Sequence, residues 1–553
     1  MLSNFDWIII GFYFLILLSI VFFASRNQKT STDYFLAGRN VGFFAIGASI
    51  FASNIGSEHI IGLAGQGAST GLAMAHYELH AWIVVLLAWI FVPFYYRSKV
   101  FTMPEFLEKR FGQEPRWILS IVSLTAYVLT KVSVTVYAGA LVFETLLPDT
   151  FGSPENAFWI GAISTVTLTG LYTIAGGLRA VLFTDSLQAT ILILGSCAIT
   201  YFGLEKLGGF NELQTFASQN VAQYALWRPL SDPNFPWLGI LIASPIVGIW
   251  YWCTDQYIVQ RTLAAKNLKA ARRGALWGAF LKIWPVLIFL IPGLIGAALN
   301  DKGLLNISIN TDGSLIGDHV FPSMVATLLP EGLRGLVVAG ILAALMSSLS
   351  SLFNSTATLF TFDVYKKLRP MVTDAKLIVI GRIATLVIVI LGLLWIPIMP
   401  MISKGGLYQY LQSVQSYLAP PITAVFLLGL FNNRINNQGA TWGLSIGFIL
   451  GMLKLVIQAF FGAEKISNPT ILSMIGDFNF LYFSGVLFLI SVVIIILVSY
   501  KTSPPDQQKI HGLTFSTIDH EVIRSSWNTK DVVATIIILG LVATLYIYFS
   551  FWI

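Results

Sequence analysis

The chain has 553 residues, of which 56% are hydrophobic and only 11% charged, a composition too apolar for a soluble globular protein of this length. A formal net charge of +6 would suit a nucleic-acid partner if it formed one basic face, but the Lys and Arg residues cluster in short loops between apolar stretches. The two cysteines, Cys197 and Cys253, fall inside apolar stretches and lack metal-ligand spacing, which argues against a disulfide framework and a zinc site. What remains is a polytopic membrane protein.

A bilayer crossing needs about 20 apolar residues. In chain order the apolar stretches predict about 14 spans: 5–24, 41–67, 74–97, 116–147, 157–174, 180–204, 236–260, 270–299, 320–366, 375–397, 405–430, 434–461, 475–500 and 530–552. The first is long, has no basic region ahead of it and no small-residue cleavage site, so it is read as a retained helix. With the 26–40 loop inside, the basic groups of Arg97-Ser98-Lys99, of 261–273 and of Lys366-Lys367-Leu368-Arg369 all fall on the cytoplasmic side, and the positive-inside rule puts both termini outside. Segment 320–366 exceeds one span; Pro330-Glu331-Gly332 predicts a short surface helix before a main helix starting near Leu333. The loop 501–529 reads as a cytoplasmic linker.

Two spans break the apolar pattern. The span 41–67 carries Ser53-Asn54-Ile55-Gly56-Ser57-Glu58-His59 in mid-membrane, where polar groups are costly enough to mark a transport site. Backbone unwound over 52–55 would free carbonyls that suit a hard cation such as sodium. The span 236–260 is expected to be interrupted over 245–251. The stretches 41–204 and 236–430 each hold five spans and each opens with an interrupted helix, which is the sequence sign of two repeats around a midplane site.

Further polar groups lie in the apolar spans. Ser347, Ser348, Ser350, Ser351, Asn354 and Ser355 share one span, either for close helix packing or as ligands. Glu78 and Asp185 stand near span ends, at the headgroups or inside, while Lys131 and Lys282 lie deeper and each needs an acceptor or water. Trp250-Tyr251-Trp252 is either an interfacial belt or, beside Pro245, Thr254 and Asp255, a stacking surface for a sugar ring. Gln409, Gln412 and Gln415 add amides. No nucleophile and base pair stands out, so the chain is not expected to be an enzyme.

At these residues the chain resembles the sodium/solute symporter family, and within it the sodium/glucose cotransporter branch, through most of 30–500. The likeness is carried by Asp33-Tyr34-Phe35-Leu36-Ala37-Gly38, 48–65, Thr102-Met103-Pro104-Glu105-Phe106, Gly176-Gly177-Leu178 with Asp185, 250–261 and 347–363. It implies an all-α membrane protein with the leucine-transporter fold: one transport domain over 1–553, with an extra helix at 5–24, inverted five-helix repeats at 41–204 and 236–430, and three further helices in 434–553. It also implies a sodium site from the carbonyls of Ala52, Ile55 and Ala344 with the hydroxyls of Ser347 and Ser348, and a second sodium at Asp185, Ser350 and Ser351. Sugar contacts fall on Asn54, His59, Glu78, Lys282 and Gln412, with Tyr251 and Trp252 as the aromatic face; Tyr251 is the inner gate, and Leu63, Tyr77 and Tyr408 close the outer side. Gly248 and Ala81 stand where relatives carry polar groups, which leaves the sugar open.

The expected function is sodium-coupled symport of glucose or galactose across the plasma membrane. The alternatives are symport of myo-inositol, an organic acid or an amino acid, or a sodium-dependent sugar sensor. The expected partners are sodium, the solute and the lipid bilayer, with no nucleic acid and no obligate protein partner.

Overall fold

The computed structural model describes residues 2–26, 28–56, 58–148, 150–309, 313, 315–398, 407–461 and 470–553. Ser57 of the break motif and residues 405–406 of an expected span lie outside them. Among the described residues the chain is helical, with no strand beyond isolated bridges. Among the described residues eleven helices are long and apolar enough to cross a bilayer. The difference from about 14 arises where spans join or break. Pro154–Leu207 runs through two expected spans, Glu58–Ser98 joins half of the broken span to the next, and the helical run over 113–146 is divided by a widened turn at Tyr127–Val132.

Burial ranks the helices from centre to edge. The most apolar stretch of Leu333–Leu368 is 94% buried, whereas that of Thr529–Ser550 is 17% buried and turns its apolar side chains outward, where lipid would be. Asp6 fastens the first helix to this centre. It completes a capping box with Ser3 at the start of Asn4–Ala24, and its Oδ1 accepts from the backbone N–H groups of Gly332 at 2.7 Å and Gly335 at 2.8 Å. One carboxylate thus satisfies the orphan donors of two helix N-termini. The helix Leu333–Leu359 begins where expected, but the helix ahead of it, Val320–Leu328, is not a surface helix, since it buries Val320, Phe321, Met324 and Val325.

Helices approach closely where side chains are small. A Cβ on Gly47 would lie 2.6 Å from the Gly274 carbonyl, so Phe43–Asn54 and Leu268–Leu281 meet almost backbone to backbone. At Gly177 the chain turns with φ 51° and ψ −156° inside Pro154–Leu207, and a Cβ there would stand 2.4 Å from the Tyr34 carbonyl. Only glycine fits that turn, which supplies the bend between the expected spans 157–174 and 180–204.

The two interruptions fall later than expected. Phe43–Asn54 stays helical through Ala52, and the break is at Ile55 and Gly56. In the other span Trp237–Ile249 absorbs Pro245, a widened turn at Trp250–Thr254 follows, and the chain leaves the helix at Asp255 with φ −79° and ψ 129°. Asp255 then caps Gln256–Leu263 by accepting from Tyr257 N–H. The proline costs one hydrogen bond, and the chain ends the helix where an N-cap is ready to start the next.

Gly177→Ala is expected to destabilise the protein by roughly 1–3 kcal/mol through strain and collision. Gly540→Ala, where nothing lies within 4 Å, is expected to be neutral. Thermal unfolding of the two variants in detergent checks this, and equal midpoints would contradict the account of the bend.

Candidate functional site

The break at Ile55 and Gly56 releases backbone groups. Gly56 N–H bonds the Asn54 carbonyl at 3.1 Å rather than Ala52, and His59 N–H bonds Gly56 at 3.0 Å rather than Ile55. The carbonyls of Ala52 and Ile55 are therefore freed from the helical ladder, although the unwinding is shorter than expected. Facing them is Leu333–Leu359, whose Ser348 Oγ donates to the Ser53 carbonyl at 3.2 Å. Ala344 lies one turn earlier on the same helix and is also buried.

Asp185 ties three helices together. Its Oδ1 accepts from Ser347 Oγ at 2.6 Å, and its Oδ2 accepts from Ser49 at 2.5 Å and Ser53 at 3.3 Å. Ser53 and Ser351 hydroxyls lie 2.8 Å apart, and Ser350 Oγ donates to the Ser347 carbonyl at 2.9 Å. Residues assigned by resemblance to two sodium sites thus form one hydroxyl and carboxylate network. Asp185 is buried rather than at a headgroup, as is Glu78.

Next to the break is an internal cavity. All seven residues expected to bind solute line it: Asn54, His59, Glu78, Tyr251, Trp252, Lys282 and Gln412. Of the expected gates, Tyr77, Tyr251 and Tyr408 line it too. Leu63 does not; it is buried one residue beyond Gly62, which packs against Tyr408. Glu58, His80, Lys131 and Thr135 also face the cavity and were absent from the expected set. His80 offered only the signal of one more histidine in an apolar span, and Glu58 that of a charge inside the break.

The wall has fixed charges and free hydrogen-bonding atoms. Lys282 Nζ lies 2.5 Å from Glu78 Oε2, Tyr408 Oη donates to Glu78 Oε1 at 2.5 Å, and His59 Nε2 stands 3.6 Å from the same oxygen. Asn54 Nδ2 donates to Tyr251 Oη at 3.1 Å. By contrast, Asn54 Oδ1, His59 Nδ1, Tyr77 Oη and Gln412 Oε1 are buried without a hydrogen-bond partner among the described residues. Buried polar atoms are seldom left so, and several facing one cavity suit a ligand that brings its own donors and acceptors.

Comparison with known proteins agrees with this arrangement. The model of the sodium:solute symporter family matches residues 34–447. The chain is 38% identical over 541 residues to sodium/glucose cotransporter 4 of Danio rerio, covering 93% of this chain and 81% of that relative. It is 38% identical over 547 residues to sodium/myo-inositol cotransporter 2 of Homo sapiens, covering 94% and 80%. A solved structure of a Na+-coupled sialic acid symporter, substrate-bound and outward-open, superposes with a TM-score of 0.74 at 22% identity, covering 91% of this chain and 99% of that one. The shared architecture is the leucine-transporter fold.

Lys131 finds its acceptor in Asp255, the residue at the second break, with Nζ 2.5 Å from Oδ2; Tyr127 Oη bonds the other carboxylate oxygen. The ammonium also lies 4.6 Å from the Tyr251 ring centroid and 4.5 Å from that of Tyr257. Removing one partner of a buried pair strands the other charge. Lys131→Met is therefore expected to destabilise the protein by about 3–5 kcal/mol, and adding Asp255→Asn to recover a large part of that loss. Thermal unfolding of both single variants and the double variant measures the coupling; strictly additive losses would contradict the pair.

Proposed function

The chain belongs to the sodium:solute symporter family, and on that premise we propose that it is a secondary active transporter coupling the inward flow of sodium to uptake of a monosaccharide, glucose or galactose, by alternating access. The observation that carries this reading is one cavity in which unpartnered amide, imidazole and phenol atoms, an ion-paired carboxylate and aromatic rings stand beside freed backbone carbonyls. A neutral polyol needs that mixture of donors, acceptors and an apolar face. In this reading Asn54, His59, Glu78, Lys282 and Gln412 hold hydroxyl groups, and Tyr251 with Trp252 covers a ring face. Tyr251 closes the inner side, and Leu63, Tyr77 and Tyr408 the outer.

Sodium is assigned to the carbonyls of Ala52, Ile55 and Ala344 with Ser347 and Ser348, and a second ion to Asp185, Ser350 and Ser351. An ion between the break and the helix Leu333–Leu359 holds the two together and so favours the outward-facing cavity. Solute then closes the outer side, and both leave inward after the bundle rocks. Coupling requires that each ligand favour the same state, because a ligand with equal affinity for both states shifts nothing.

One charge moving through 100 mV supplies roughly 2.3 kcal/mol and a tenfold gradient about 1.4 kcal/mol. One sodium therefore supports roughly 500-fold accumulation, and two the square of that.

The same reading places the protein in the plasma membrane with both termini outside. It assigns inverted repeats to 41–204 and 236–430, supported by breaks at Ile55 and Asp255 whose flanking residues, Asn54 and Glu58 at one and Trp252 and Tyr257 at the other, line the cavity. A second reading, symport of myo-inositol, has comparable support, since a relative named for that solute is as similar as one named for glucose.

In proteoliposomes with an inward sodium gradient, labelled glucose or galactose is expected to accumulate, to fail to do so with potassium in place of sodium, and to be outcompeted by the unlabelled sugar. Ser348→Ala is expected to raise the sodium concentration for half-maximal uptake at least about tenfold, the loss of one ion ligand at roughly 1.4 kcal/mol or more. Accumulation of myo-inositol alone would select the second reading, and uptake indifferent to sodium would contradict both.

A further inference from the structure

His80 lines the cavity, is 4% exposed, and belongs to no ion pair. It sits where the third span is interrupted, just before Ala81–Leu86, and its carbonyl starts that helix by accepting from Ile83 N–H at 2.8 Å. The backbone is thus committed to the fold, while the imidazole reaches sideways. Its Nε2 lies 2.6 Å from Ser244 Oγ, and that hydroxyl in turn points its proton at the His76 carbonyl, 3.4 Å away. The tautomer with hydrogen on Nε2 lets Ser244 accept from the ring while it donates to that carbonyl. In the neutral imidazole Nδ1 is then a bare acceptor.

Gly248 packs directly against that edge of the ring. A Cβ at 248 would stand 3.1 Å from His80 Nδ1, 3.0 Å from its Cε1 and 2.3 Å from Ile83 Cδ1. Only glycine fits at 248 without displacing Ile83 or the ring, and Gly248, Val247, Tyr251 and His80 all line the cavity. Both lysines of the cavity are already engaged, Lys282 with Glu78 and Lys131 with Asp255, and Glu58 accepts from Thr135 Oγ1 at 3.3 Å.

We propose that His80 is a specificity-determining residue, whose Nδ1 accepts a hydrogen bond from one hydroxyl of the bound polyol. The inference rests on the reading of this cavity as the solute site. It adds a further contact from the third span.

The test uses equilibrium binding of labelled D-glucose to the purified full-length protein with sodium present, competed by each monodeoxy-D-glucose in turn. Two substitutions separate the ring nitrogens. His80→Gln keeps a polar atom for Ser244 but loses the one at Nδ1; His80→Asn does the reverse. His80→Gln is expected to weaken glucose binding roughly 3- to 10-fold, the worth of one hydrogen bond, and to abolish discrimination against one monodeoxy sugar alone. His80→Asn is expected to retain that discrimination. An unchanged discrimination pattern in His80→Gln, whatever its affinity, would overturn the proposal by leaving His80 a structural residue, and so would equal losses in both variants. Because the readout is binding, wild type that binds glucose without sodium-driven uptake contradicts the transport reading and leaves this test intact; absence of any binding of glucose, galactose or myo-inositol contradicts both.

Discussion

A helix in a bilayer has to satisfy its own backbone, because hydrocarbon offers no replacement partner for a freed carbonyl. This chain stops one central helix at Ile55 and Gly56, and the rest of the site follows from where the freed groups go. The break is sheltered by Leu333–Leu359, one of the most buried helices among those described, which presents serine hydroxyls where an ordinary core helix presents leucine. Asp185 gathers three of the nearby hydroxyls, so a negative charge stands beside the released carbonyls. Oxygen ligands with one carboxylate nearby are what a hard monovalent cation wants, and nothing in that set prefers a soft metal.

The cavity proposed for the solute is built on the opposite logic. Its two lysines are matched inside the wall, Lys282 by Glu78, which also holds Tyr408, and Lys131 by Asp255, while Glu58 accepts from Thr135. A neutral molecule entering it meets polar atoms without having to displace an ion pair. Asn54 links the two regions: it is the last residue of the helix before the break, and its amide holds the hydroxyl of Tyr251. Any movement of the break is thereby transmitted to an aromatic ring on the cavity wall, which gives sodium and solute a shared element on which to act.

Much of this arrangement was legible in the sequence because membranes impose strict rules. Stretches of about 20 apolar residues gave the spans, and a polar run in mid-span gave the break. Lys131 and Lys282 declared that acceptors were needed, but not which ones. Asp255 and Glu78 lie far along the chain from their lysines, and pairing at that range is a product of the fold. The break was placed too early because a run of polar residues does not say which peptide leaves the helix; Gly56 and the Asn54 carbonyl decide it. Pro245 misled in the same direction, since a helix deprived of one hydrogen bond continues when a widened turn and an N-cap follow. The site roles themselves came from resemblance, and the structure gathers those residues without assigning them tasks.

The central claim is that sodium and solute stabilise one common state through the break. Linkage makes this measurable without transport: the factor by which sodium tightens solute binding must equal the factor by which solute tightens sodium binding. Isothermal titration of the purified protein with glucose at zero and saturating sodium, and with sodium at zero and saturating glucose, gives both factors. The account predicts equal factors of about 5- to 150-fold, the usual range of such couplings. Glucose affinity that is the same with and without sodium would contradict it.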